Sequence, residues 1–142
     1  MRREHFDKLE RMYAAAPVNQ SFRPVLQVSE GTAFLTMPVR EEHFHAAGSL
    51  HGSVYFKALD DAAFFAVNSL VEDVFVLTTS FTVYLLRPVT SGTLEAEGRV
   101  ISSGRNLFVA EATLKVKGRL AARGSGAFMR SDTRLSEVEG YR

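Results

Sequence analysis

The chain has 142 residues, 46% of them hydrophobic and 23% charged, with 17 Lys+Arg set against 16 Asp+Glu. That length suits one domain with one sizeable core, and the composition excludes bulk disorder and a long coiled coil. A net charge of +1 argues against a nucleic-acid binder with a broad basic face. The absence of cysteine removes disulfides, Cys-based zinc sites and a thiol nucleophile. No run of 18 apolar residues occurs, so no transmembrane helix is expected. The opening MRREHFDKLERMY lacks the apolar region of a secretory signal, and the expected location is the cytoplasm.

In chain order, residues 3–16 read as a helix, with Phe6, Leu9 and Tyr13 on one stripe and Pro17 as its stop. Two short strands follow, around Val25–Val28 and Ala33–Met37, joined by a Ser29-Glu30-Gly31 turn. Residues 39–50 form a polar, His-rich loop. Residues 52–70 are a second helix, apolar almost all round, which must be buried on most sides. At about 1.5 Å per residue it would span roughly 28 Å. The segments 75–87, 93–102, 107–117 and 119–130 read as strands of an antiparallel meander, and the polar tail 131–142 reads as frayed. The expectation is a single α+β domain over 1–142, with its core in 20–130. One antiparallel sheet is curled around one long central helix.

Three polar residues interrupt the apolar helix: Lys57, Asp60 and Asp61. Asp60 has Phe56, Ala63, Phe64 and Val67 on its own face. It is either a buried carboxylate satisfied by neighbouring donors, or a general base whose pKa burial has raised. Asp61 has Lys57 four residues earlier, the spacing of an ordinary helix-surface ion pair. The segment Gly48-Ser49-Leu50-His51-Gly52-Ser53 leads into the helix. The amide of Gly52 is a candidate oxyanion donor, and a simple Ser49 or Ser53 cap is the alternative. His43, His45 and His51 match no standard metal spacing, so they read as loop histidines and no metal is expected.

Gly48-x-x-His51-Gly52-Ser53, then Asp60 on an apolar helix, then Phe81-x-x-x-Leu85-Leu86-Arg87-Pro88, resembles the hotdog-fold acyl-CoA thioesterases of the PaaI-like, phenylacetate-degradation branch. The resemblance covers about residues 20–130. It implies a sheet wrapped around a central helix, dimers that pair their sheets, commonly as dimers of dimers, and a site at the dimer interface. It implies that the Gly52 N–H polarises a thioester carbonyl while His51 shapes the loop. Asp60 acts as nucleophile or general base, with Thr78, Thr79 or Ser80 of the partner orienting it, Thr79 foremost. Arg87 and the Gly104-Arg105-Asn106 turn would hold coenzyme A, which enters as part of the substrate, with no separate cofactor. Two departures stand out: Ser53 replaces a glycine, and His45 replaces an asparagine.

The resemblance therefore implies hydrolysis of an acyl-CoA to a carboxylate and free CoA. A hotdog hydratase would need an Asp-x4-His pair. Phe65 and Ala66 stand five residues after the two aspartates, and no histidine follows His51. A non-catalytic acyl-CoA or lipid-binding protein is the alternative, with Ser53 as the feature that favours it. Phe56, Phe64 and Phe65 either line an acyl tunnel or are core.

Overall fold

The computed structural model describes residues 2–142. Helix α1 (Arg2–Ala15) and the single-turn α2 (Asn19–Phe22) precede β1 (Val25–Ser29) and β2 (Thr32–Pro38). A 3-10 turn at Glu41–His43 leads to the long helix α3 (Gly52–Asn68). Then come β3 (Val74–Leu85), β4 (Thr93–Ser103), β5 (Leu107–Val116) and β6 (Arg119–Arg134). The six strands form one antiparallel sheet in the order β1-β2-β4-β5-β6-β3. This is the hotdog fold.

Helix α3 lies on the concave face of the sheet because its surface there is small. Ala58, Ala62, Ala63 and Ala66 are fully buried, and at Gly98 of β4 an added Cβ would overlap the Ala62 carbonyl. A glycine opposite an alanine stripe brings helix backbone onto sheet backbone and leaves no void. Leu35, Met37, Leu94, Leu114 and Phe128, also buried, fill the curl around it. The helix starts cleanly because His51 is its N-cap: the ring Nδ1 accepts from the Ser53 N–H at 3.0 Å.

The sheet departs from the expected four-strand meander. Only β4, β5 and β6 follow one another. β3 pairs with β6 at the edge, and residues 86–92 carry the chain across to β4, which pairs with β2. Helix α3 and the strands begin and end within two residues of the expected limits, apart from β6, which runs four residues further.

The tail is not frayed. Leu135 is buried, Gly140 packs on α1 with φ +92, and Tyr141 Oη lies 2.7 Å from Nδ1 of the buried His5. His5 Nε2 meets the Asn68 carbonyl at 2.8 Å, so one imidazole ties the tail, α1 and the end of α3 together. Polarity alone hid this, because the anchors are a few residues in a polar stretch.

Candidate active site

Asp60 sits on α3 in the wall of a cleft of about 550 Å³ between α1, α3 and the start of β3. The cleft is mainly apolar, with Met12, Phe64, Phe65, Phe75, Leu77 and Val138 in its lining. Thr78 Oγ1 donates to Asp60 Oδ1 at 2.9 Å. Burial in this apolar wall pushes the Asp60 carboxyl up to about 6. The Thr78 hydrogen bond and Lys57 oppose the rise, and the charge of Asp61 adds to it.

Thr78 faces the helix on the same side of β3 as the buried Val76, while Thr79, at the β3–β6 register shift between Thr78 and Ser80, is exposed and donates to the Ala127 carbonyl at 3.0 Å. Beyond the bulge Phe81 faces inward, packed edge-on against Phe56 and over Gly124 and Gly126. Within one chain the residue on Asp60 is therefore Thr78, not Thr79. Phe64 and Phe65 line the cleft as the tunnel reading expects, whereas Phe56 is 41% exposed and lies outside it.

Asp61 does pair with Lys57, at 2.8 Å, but the pair is not on an ordinary helix surface. The two side chains are 18% and 15% exposed beneath α1, and Tyr13 Oη donates to Asp61 Oδ2 at 2.6 Å. Burial and the Asp61 charge push the Tyr13 phenol upward, so it stays a donor at neutral pH. Sequence reasoning placed Tyr13 only in the α1 core stripe. Its hydroxyl is the clue, since a buried Tyr needs a partner for its O–H. Asn19, also in the cleft wall, gives its amide to the Tyr13 carbonyl and leaves Oδ1 buried without a partner.

Gly52 is the first residue of α3 and lines a separate, shallower cleft with His45, Ser49, Leu85 and Arg87. It stands eight residues from Asp60, or about 12 Å along the helix axis. His45 Nδ1 accepts from the Ala47 N–H, and Nε2 lies 2.9 Å from Ser49 Oγ, so this ring braces its loop. Ser53 Oγ lies 2.8 Å from His51 Nδ1, which draws the hydroxyl toward the cap. Neither Ser49 nor Ser53 is the helix cap.

The expected coenzyme A residues divide. Arg87 follows the end of β3, beside Gly52. Gly104, Arg105 and Asn106 form the exposed β4–β5 turn at the opposite end of the sheet, where Asn106 shares a polar cleft with Arg130 and Arg134. A single chain does not bring the two groups together.

A helix inside a curled sheet, with a carboxyl on that helix facing an apolar cleft, is the architecture of the hotdog hydrolases. The sequence profile of the thioesterase superfamily matches residues 47–122, which hold α3, Gly52, Asp60 and Thr78, and the chain belongs to that superfamily. It is 27% identical over 105 residues to the Saccharolobus solfataricus protein named "Putative esterase SSO2140", covering 73% of this chain and 75% of that one. Among solved structures it is similar to the PaaI protein of the Escherichia coli phenylacetic acid degradation operon, with TM-score 0.84, 22% identity, and 93% and 96% of the two chains covered. It is also similar to a thioesterase family protein of Silicibacter pomeroyi, with TM-score 0.80, 29% identity, and 88% and 96% covered. The function is of thioesterase type. Among the described residues, no helix is long and apolar enough to cross a membrane.

Proposed function

We propose that the protein is an acyl-CoA thioesterase in which Asp60 activates water, or attacks directly, at the thioester carbonyl. The observation that carries this is the Asp60 carboxyl in the apolar cleft wall, held by Thr78 and raised to about 6. A carboxylate with that pKa is ionised at pH 7 and still basic enough to take a proton from water. The acyl group lies in the cleft, the thioester carbonyl meets the Gly52 N–H, and the products are a carboxylate and free CoA.

Gly52 and Asp60 of one chain are too far apart to hold one carbonyl, so each site takes them from two copies. The edge strand β3 suits such pairing. At its C-terminal end the chain presents Tyr84, Leu85 and Leu86 at 61%, 53% and 51% exposure, and its edge hydrogen bonds are free to continue the sheet. Two copies paired antiparallel along β3 bring Gly52 of one toward Asp60 of the other. The same pairing brings Arg87 of one toward the Asn106 end of its neighbour. A dimer of such dimers is the expected assembly.

Thiol release from a panel of aryl, short, medium and long acyl-CoAs tests the reading. Wild type turns over at least one of them, and Asp60→Ala abolishes the turnover. Gly52→Pro is the second probe. Proline is well tolerated at the first helical position but lacks the N–H, so the fold survives and turnover drops on the order of 10²–10³-fold. Co-refolding Gly52→Pro with Asp60→Ala restores about a quarter of wild-type activity if each site draws on two copies of a twofold dimer. No recovery places both groups in one chain and overturns the shared site.

A further inference from the structure

The Gly52 N–H has no acceptor among the described residues. It belongs to the first residue of α3, so no carbonyl of that helix stands behind it. Its direction is set by whatever holds the loop that enters the helix. Within that loop the His45 N–H donates to the Ser49 carbonyl at 2.9 Å, and the His51 N–H to the His43 carbonyl at 3.0 Å. These bonds shape the loop without tying it to the sheet. The tie is the Leu50 N–H, which donates to the Val89 carbonyl of the 86–92 crossover at 2.9 Å. Leu50 and Val89 are both buried, so water does not compete for that bond.

The crossover is held in turn by Tyr55. This side chain stands one turn into α3, is buried, and lines the cleft that contains Gly52. Its Oη donates to the Arg87 carbonyl at 2.7 Å. Burial pushes the phenol up and a hydrogen bond from the Val89 backbone opposes the rise, so the hydroxyl stays protonated and remains a donor at neutral pH. One hydroxyl thus engages the backbone on both sides of Pro88, which has no N–H of its own. Phenylalanine would fill the same space, so packing does not call for the hydroxyl. On the other side of Gly52, a Cβ would stand 3.2 Å from Leu85 Cδ1. The amide therefore sits between the end of β3 and a loop whose outside anchor is the crossover.

We infer that Tyr55 is a positioning residue: its hydroxyl, through the Arg87–Val89 backbone and the Leu50 N–H, aims the Gly52 amide. The inference rests on the thioesterase reading for what that amide does. It adds to the reaction a residue that acts through another and need not touch the thioester.

Tyr55→Phe removes the hydroxyl alone. The Leu86 and Arg87 N–H groups still reach the Ala121 carbonyl, so the start of the crossover stays on β6 and the fold survives. The first readout is NMR of the unliganded protein. In the variant the Leu50 amide gains on the order of tenfold in hydrogen-exchange rate over the amides of residues 62–66 in α3, and the Gly52 amide resonance moves. Equal acceleration in both places, or an unmoved Gly52 resonance, makes Tyr55 a structural tether only and overturns the inference. The second readout is thiol release. A turned amide meets the transition-state oxyanion poorly while the ground state binds as before, so kcat falls on the order of tenfold and KM moves by no more than about twofold. In a Gly52→Pro background there is no amide to aim, and Tyr55→Phe costs nothing further. The same tenfold loss in that background overturns the inference. If wild type turns over no acyl-CoA, the changes at Leu50 and Gly52 still uphold the positioning of the amide, and only the thioesterase reading fails.

Discussion

Replacing Asp60 with Asn should make the protein more stable while removing its activity. Burial raises the carboxyl from its ordinary 3.8 to about 6, so the folded state binds a proton more tightly than the unfolded chain does. The stability this group contributes is complete below pH 3.8 and is lost as pH climbs through about 6. At roughly 1.36 kcal/mol per pH unit, the ionised carboxylate lowers stability by about 2–3 kcal/mol at pH 8 and by about 0.5 kcal/mol at pH 4. Asparagine keeps the shape and can still accept from Thr78 Oγ1, but carries no charge. Asp60→Asn should therefore raise the melting temperature by about 6–10 °C at pH 8 and by only a degree or two at pH 4. Calorimetric melting at both pH values decides the matter. An equal shift at the two, or a loss at pH 8, would refute the claim that Asp60 is held in a desolvated place for its chemistry.

The same ionisation should govern the rate: kcat/KM for any accepted acyl-CoA should rise as pH passes through about 6 and level off above it, as a stopped thiol assay across pH 4.5–8 would show. Asp61→Ala strands the Lys57 ammonium and the Tyr13 hydroxyl beneath α1 and should lower stability by about 1–3 kcal/mol, whereas Asp61→Asn loses less. Both Asp61 variants should keep turnover that Asp60→Ala lacks, measured side by side by thiol release. Gly98→Ala drives a methyl into the Ala62 carbonyl and should cost about 3 kcal/mol or more, read from melting temperature or soluble yield.

The architecture was legible because its main signal is strong. A helix apolar on nearly every side, in a chain with no membrane-length span, has to be wrapped, and only the strands can wrap it. Asp60 stood out from Asp61 through its i±3 and i±4 neighbours, and the structure keeps that distinction. Three features lay beyond local pattern. The bulge at Thr79 shifts the strand parity by one, so the alternation that turns Val76 and Thr78 inward does not carry on to Phe81 and Val83, which also face inward. The β3 crossover depends on which strands pair, and it takes β3 to the edge of the sheet beside β6 and away from β4. The tail is anchored by Leu135, Gly140 and Tyr141, whose roles depend on α1, more than a hundred residues away in sequence.

These distant segments matter to the chemistry. Asp61 raises the Asp60 carboxyl and Lys57 lowers it, and the two are locked together in one ion pair with Tyr13 on its far side. Their effects on Asp60 therefore oppose each other, and what remains is burial, set against one hydrogen bond from Thr78. Part of that burial comes from outside the helix and sheet: Met12, Tyr13 and Ala16 of the α1 region and Val138 of the tail line the cleft opposite Phe64, Phe65, Phe75 and Leu77. The N-terminal helix and the folded tail thus help to enclose Asp60 and to shape the cleft proposed for the acyl group. The His5 tie that joins them to the end of α3 is part of the site's construction even though it touches no substrate.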